Sequence, residues 1–231
     1  MKICTFNIKN NYNHYQKEKA KDIVDFINRN KIDILCTQEL FDTCENDITK
    51  YLCKTNYKIY GKYRFKSKLL RKINESASII TNQKVLLDEN YHLPHLPSLL
   101  KRVVTKVVID TKEFGKISII NTHLDYQFEF AKKRQLKCLL KIINKEKLPI
   151  ILTGDFNLKN NNSIFNKFVE DLEKLGIKRV PINEKTLKQS KYKRAIDHIF
   201  ISDKFELKEV DVIKDLEISD HYPVLIKIDH K

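Results

Sequence analysis

Polar residues of a few chemical kinds stand at the ends of apolar runs throughout this sequence. Ile3–Phe6 leads into Asn7, and Ile32–Thr37 into Gln38 and Glu39. Ile117–Ile120 leads into Asn121-Thr122-His123-Leu124-Asp125, and Ile150–Thr153 into Gly154-Asp155-Phe156-Asn157. Near the end the order reverses: Ser219-Asp220-His221 precedes Tyr222–Ile228, while Asp197 interrupts the apolar run at 195–201. A carboxylate at the lip of a strand is costly unless it is paired or binds a cation. Several of them, with two histidines, point to one cluster at one edge of the layers. Asp, Glu and Asn are hard oxygen donors, which favours Mg²⁺ or Mn²⁺ over zinc, and cysteine is absent from all these motifs.

Each motif alone has a plainer explanation. Asn7 could end a strand in a turn, Gln38-Glu39 could precede a helix, and Ser219-Asp220-His221 could open an ordinary strand. Gly, Asp and Asn are turn formers, so Gly154-Asp155-Phe156-Asn157 could be a turn and nothing more. His198 falls on the opposite face of a regular strand from Asp197, so a structural role is expected for it.

The elements that must position these groups read as an alternation of strands and helices. Strands are expected at 2–8, 33–38, 76–81, 101–110, 116–122, 149–154, 195–201, 206–213 and 222–228. Ala20, Ile23, Val24 and Ile27 recur at helical spacing, as do Leu136, Leu139, Leu140 and Ile143, and Phe165, Phe168, Val169 and Leu172. Ser163 is the expected N-cap of the last of these and Gly176 its stop. Asp42 and Glu45 have capping-box spacing for a helix near 43–53. No linker or internal repeat divides the 231 residues, so a single domain over 1–231 is expected, of α/β or α+β layered type.

Composition narrows the classes. No apolar run is long enough to span a bilayer, and the N-terminus alternates like a strand rather than a signal peptide. A cytoplasmic monomer is expected, unless a leader has been lost. The five cysteines show no Cys-x-x-Cys, which argues against a zinc site or a disulfide framework. Cys4 and Cys36 read as buried thiols, and Cys44 and Cys53 as the pair that could approach each other. The net charge of +14 favours an anionic partner, nucleic acid above all, but a drift of composition toward Lys would raise it equally.

The order and spacing of the six motifs resemble those of the endonuclease/exonuclease/phosphatase superfamily, to which pancreatic deoxyribonuclease belongs. Thr-Phe-Asn, Gln-Glu, Asn-Thr-His-Leu, Gly-Asp-Phe-Asn, Ile-Asp-His and Ser-Asp-His-Tyr-Pro-Val span residues 3 to 226. The resemblance implies a four-layer α/β/β/α sandwich, two packed mixed β-sheets flanked by helices. It also implies Mg²⁺-dependent phosphoester hydrolysis. Glu39 would be the principal metal ligand, with Asn7 beside it and Asp220 completing the shell. Asp155 and Asn157 would orient the attacking water and the phosphate. His221 would contact the scissile phosphate with Asp197 orienting it, and His123 would act as acid or phosphate contact. Arg102 falls near a family arginine. Many relatives carry Gly two residues after the first Asn; here Lys9 stands there, so the turn after the first strand is expected to differ.

Substrate choice is less legible, because one fold hosts many reactions. The stretch 61–74 interleaves Arg64, Lys66 and four other basic residues with Tyr63 and Phe65, a composition suited to a nucleic-acid backbone and stacked bases. Arg64, Lys66 and Arg102 are the expected substrate contacts, and Lys188, Lys191, Lys193 and Arg194 could extend the same surface. The alternatives are a solvated lysine-rich loop, a hydrolase of phospholipid head groups or small phosphoesters, and a catalytically inactive binding module. The intact set of acids and histidines argues against the last.

Overall fold

Strands form where β-branched residues run together, and their parity decides what each side chain faces. The computed structural model of the chain describes residues 1–10, 18–53, 55–61, 75–96, 101–190 and 195–231, with the side chains of 10, 41–45 and 75 also left out. One six-stranded sheet runs in the order β11 (Phe205–Val212), β12 (Val224–His230), β1 (Lys2–Asn10), β2 (Ile34–Phe41), β4 (Glu75–Thr81), β3 (Lys58–Tyr60). The other runs β5 (Lys84–Leu93), β6 (Arg102–Thr111), β7 (Gly115–His123), β8 (Ile150–Asp155), β10 (Asp197–Ser202), β9 (Ile177–Arg179). Both follow one plan. A central parallel pair, β1–β2 or β7–β8, is flanked by antiparallel neighbours.

Three buried clusters make the layers. Ile3, Ile34, Cys36, Ile119, Ile151 and Ile199 pack between the sheets. Cys4, Phe6 and Leu35 face the other way, against Ile23 and Ile27 of α1 (Glu18–Asn30) and Ile48 of α2 (Asp42–Leu52). Ile120, Leu152 and Phe200 likewise face Leu136 and Leu139 of α3 (Glu129–Ile143) and Phe165 and Phe168 of α4 (Ser163–Glu173). The molecule is therefore the expected four-layer sandwich, helices outside two mixed sheets. Side chains alternate along a strand. The parity that sends Ile3 inward also sends Asn7 inward, as it does Asn121 and His123 after Ile119, and Asp155 after Ile151.

The differences from the sequence reading have physical causes. β3, β5 and β9 were not expected, and all three are sheet edges. β5 is mostly exposed or half-exposed, and β3 and β9 have three residues each, so neither hydrophobic run nor length marks them. The N-cap of α4 is Asn162 and not Ser163: its side chain accepts the Ile164 and Phe165 N–H groups. Gly176 follows that helix at φ 71°, the left-handed conformation expected of its stop. Cys4 and Cys36 are buried thiols, as expected, while Cys53 is free and donates to the Lys50 carbonyl, so it forms no disulfide. The capping box at Asp42 and Glu45 involves side chains outside the described set. Among the described residues no helix is long and apolar enough to cross a membrane.

Candidate active site

The central parallel pairs carry the polar cluster at their carboxyl ends, and the two sheets meet there. Asn7 stands in the second half of β1 and Asp155 closes β8, and Asn7 Nδ2 donates across the interface to Asp155 Oδ2 at 3.0 Å. The same amide donates to Glu39 Oε1 at 3.2 Å, while its oxygen accepts the Lys9 N–H at 3.0 Å. Asn7 thus separates two carboxylates and leaves one oxygen lone pair for another partner. Glu39 lies within a register shift of β2, between Thr37 and Leu40, at φ 55°. The irregularity returns Leu40 to the helix-facing core, and a non-glycine residue in that conformation costs roughly 1–2 kcal/mol. Such strain recurs at functional positions.

Beneath this lip a polar clasp joins the sheets. Asn121 donates to the Thr37 and Ser78 carbonyls at 2.8 and 2.9 Å, and its oxygen accepts from Gln38 Nε2 at 2.7 Å. All of these groups are buried, so the bonds set the spacing of the two halves of the site. Gly154 allows β8 to lie this close to β7. Its φ is 154°, and a Cβ there would sit 2.2 Å from the Thr122 carbonyl oxygen.

Asp155, Asp197 and His221 form the buried centre, with one potential ligand atom from each within 4.8 Å of the others. Asp197 faces Asp155 because β10 runs antiparallel to β8 with these two residues in register. Asp197 Oδ2 and His221 Nδ1 are 2.9 Å apart. His221 Nε2 lies 3.9 Å from Asp155 Oδ2, and His123 Nε2 lies 3.6 Å from the same oxygen. Burial opposes a charged imidazole, yet the charge and hydrogen bond of Asp197, helped by Asp155 and Asp220, push His221 up to about 10. Burial and the Asp197 charge push the Asp155 carboxyl up to about 7, against the pull of His221 and the Asn7 and Asn157 donors. The centre therefore holds an imidazolium beside a carboxyl group poised near neutrality.

Around this centre the other expected residues take their places. Asn157, at φ 51°, gives its backbone N–H to Asp155 Oδ1 at 2.9 Å and its side-chain amide to the Leu124 carbonyl at 3.1 Å. Arg102 is buried, with a terminal nitrogen 3.0 and 3.2 Å from the two ring nitrogens of His123. Asp220 lies just ahead of His221, and its Oδ2 accepts from Lys9 Nζ at 2.6 Å. His198 points away into Phe156, Phe165 and Phe200, bonded to the Leu158 carbonyl, and burial drives it down to about 4. It is the structural histidine that strand parity implies. Arg64 and Lys66 lie outside the described residues, as do Lys191, Lys193 and Arg194. Lys188 does not extend a free basic surface: its ammonium caps the Leu216 carbonyl and lies over the Tyr222 ring.

The donor set fits a hard divalent cation. Glu39, Asp155 and Asp220 offer carboxylate oxygens and Asn7 an amide oxygen. Two carboxylate oxygens, Asp197 Oδ1 and Asp220 Oδ1, are buried with no hydrogen-bond partner among the described residues. A buried polar atom left so costs roughly 1–3 kcal/mol, which a bound cation or water would recover. Sequence reasoning did not single out the Asn121–Gln38 clasp. Nor did it find Ser219, whose hydroxyl donates to the Asn7 carbonyl at 2.6 Å and accepts the His221 N–H. Thr186 was missed too: its hydroxyl accepts the Asp197 N–H and its carbonyl the Tyr222 N–H. Ser219 and Asn121 stood inside recognised motifs; nothing in the sequence marked Thr186.

The sequence matches the profile described as Endonuclease/Exonuclease/phosphatase family over residues 4–221. No curated protein matches it. Among solved structures, a member of that family from Bacteroides thetaiotaomicron superposes with a TM-score of 0.84 at 21% identity, covering 99% of this chain and 97% of that one. The mannosyl-6-phosphatase of the same organism gives 0.81 at 21% identity, with 99% of each chain covered. The catalytic domain of human nocturnin, with a bound sulfate anion, gives 0.78 at 20%, covering 100% of this chain and 93% of that one. At such identities the structural likenesses establish the fold and nothing finer.

Proposed function

The chain belongs to the endonuclease/exonuclease/phosphatase family, and on that premise we propose that it is a Mg²⁺-dependent phosphoesterase that hydrolyses phosphodiesters in nucleic acid. The observation that carries hydrolysis is the buried meeting of Asp155, Asp197 and His221 beside the Asn7–Glu39 pair. Glu39, Asn7 and Asp220 would hold the cation. When bound, it neutralises charge on the phosphate oxygens and lowers the pKa of water.

The remaining steps belong to the chain's own side chains. His221, kept protonated by Asp197, offers its Nε2–H to a phosphate oxygen in the gap facing Asp155. Asp155, poised near neutrality, orients the attacking water and is the group best placed to take its proton. Asn157 holds Asp155 in that pose through its backbone N–H. His123, backed by the Arg102 guanidinium, contacts the phosphate from the second sheet. Such positioned proton transfer contributes typically ~10²–10⁴-fold in rate.

Nucleic acid is supported by the net charge of +14 and by the rim just beyond His123. There Tyr126, Phe128 and Phe130 are exposed, and the Arg134 guanidinium lies 5.8 Å from the Phe130 ring centroid. Exposed rings beside cations suit stacked bases on a phosphate backbone. A second reading, a sugar phosphomonoester, is favoured by the end-to-end likeness to a mannosyl-6-phosphatase. The test is a panel: purified protein with Mg²⁺ on plasmid DNA, single-stranded RNA, inositol lipids and mannose 6-phosphate. Cleavage of DNA or RNA, abolished by EDTA and by His221→Ala, is expected. Turnover of the sugar phosphate or lipid alone removes nucleic acid as the substrate, and turnover of nothing in the panel removes the hydrolase reading for these substrates.

A further inference from the structure

Lys9 reaches an acid of this site with its ammonium, and its backbone is unusual. It sits near the end of β1, where pairing with β2 shifts register between Asn7 and Asn10, and its φ is 42°. Glycine would adopt that conformation without penalty; a lysine there is retained against a local cost. The geometry is held at several points. The Lys9 N–H donates to Asn7 Oδ1 at 3.0 Å, and the Lys9 carbonyl accepts from Lys19 Nζ at 3.4 Å. Ser219 ties the loop carrying Asp220 to the Asn7 carbonyl. The result is an ammonium 2.6 Å from Asp220 Oδ2, with about a third of the lysine side chain and a quarter of the aspartate exposed. The other oxygen, Asp220 Oδ1, is buried with no hydrogen-bond partner among the described residues.

Asp220 therefore presents its two oxygens to different surroundings. We propose that Lys9 is a built-in monovalent cation of the site: by taking Asp220 Oδ2 it leaves that carboxylate one oxygen for a metal, and so limits the site to a single divalent ion. The inference rests on the reading that the acidic cluster binds a divalent metal. A carboxylate that helps hold two cations a few ångströms apart usually gives an oxygen to each. Here one of the two oxygens faces an ammonium, whose charge also repels a second divalent ion. Because the pair is half-exposed, its own stability contribution is small; its effect is on occupancy. Lys9 acts on the metal ligand Asp220 and is a positioning residue.

The test counts Mn²⁺ bound per chain, following free Mn²⁺ by its electron paramagnetic resonance signal, with no substrate present. Wild type and Lys9→Arg, which keeps the cation, are expected to bind a single equivalent. Lys9→Gly and Lys9→Met are expected to bind a second. The glycine variant also relieves the left-handed backbone, so it folds even if the methionine variant does not. Two equivalents in wild type, or one in wild type and both uncharged variants, overturns the inference while leaving the metal-dependent reading intact. No Mn²⁺ bound by wild type removes the metal reading and this inference with it.

Discussion

Asp197→Asn isolates the electrostatic core of the site. The substitution keeps the shape of the side chain and removes the charge that lies 2.9 Å from His221 Nδ1. In the metal-free protein His221 is raised from 6.5 to about 10, and Asp197 is the leading cause that raises it against burial. A shift of that size is worth on the order of 5 kcal/mol of preference for the imidazolium in the folded state. The sign follows from linkage. A folded-state pKa above the unfolded one contributes stability in full below about 6.5 and loses it as pH rises through about 10. Asp155, raised from 3.8 to about 7, acts in the same direction over a lower window, and the Asp197 charge is among its causes. In EDTA, the unfolding free energy of wild type should therefore fall between pH 6.5 and 10 by up to about 5 kcal/mol more than that of Asp197→Asn. The comparison between the two proteins cancels other groups that titrate there. Urea unfolding across this range measures the slope, and the ¹⁵N resonances of the His221 ring report its midpoint directly. In the variant that midpoint drops by several units. A wild-type His221 that titrates near 6.5, or a midpoint the substitution leaves in place, refutes the reasoning.

Two further substitutions test the scaffold. Gly154→Ala forces a Cβ to within 2.2 Å of the Thr122 carbonyl oxygen at a φ of 154°, so β7 and β8 must part. A loss above about 4 kcal/mol is expected, seen as failure to accumulate folded protein, and a variant melting within a few degrees of wild type contradicts it. Asn121→Ala removes the clasp to Gln38, Thr37 and Ser78 and should cost roughly 2–4 kcal/mol in urea, with an unchanged m-value. An unshifted midpoint would mean that water replaces the amide.

The sequence made the interior strands and the edge strand β11 legible and left the other three edges, β3, β5 and β9, obscure. A strand buried on both faces, such as β8 or β10, shows itself by a short apolar run, Ile150–Leu152 or Ile199–Ile201. An edge strand such as β5 buries little, so its Leu86 and Leu87 stand exposed among Lys, Asp, Glu and Asn and carry no period. β3 and β9 are too short for any period to be read. The error at the N-cap of α4 is of a different sort: Asn162 and Ser163 are both good caps, and only the backbone, extended at Asn162, decides between them.

The site was legible because parity carries it. On β1, β7 and β8 a polar residue at or near the strand's end shares a face with the isoleucines that pack between the sheets. Aiming an apolar run at the core therefore aims Asn7, His123 and Asp155 at one another. Glu39 breaks the rule, since strict alternation from Ile34 and Cys36 would have turned it toward α1 and α2. The register shift and positive φ at that residue re-aim it to Asn7, and no residue type announces such an irregularity. Lys9, on the neighbouring strand, already shares the parity of Ile3 and Asn7, but it too has a positive φ within a register shift. Both residues lie where the central parallel pair of the first sheet stops pairing regularly, and both side chains meet other polar groups of the site. Regular pairing brings the two sheets together; the broken pairing at the ends of β1 and β2 sets which charges meet there. Substitutions in that stretch should therefore alter the site's charge and metal occupancy more than the protein's stability, the reverse of what is expected at Asn121 and Gly154.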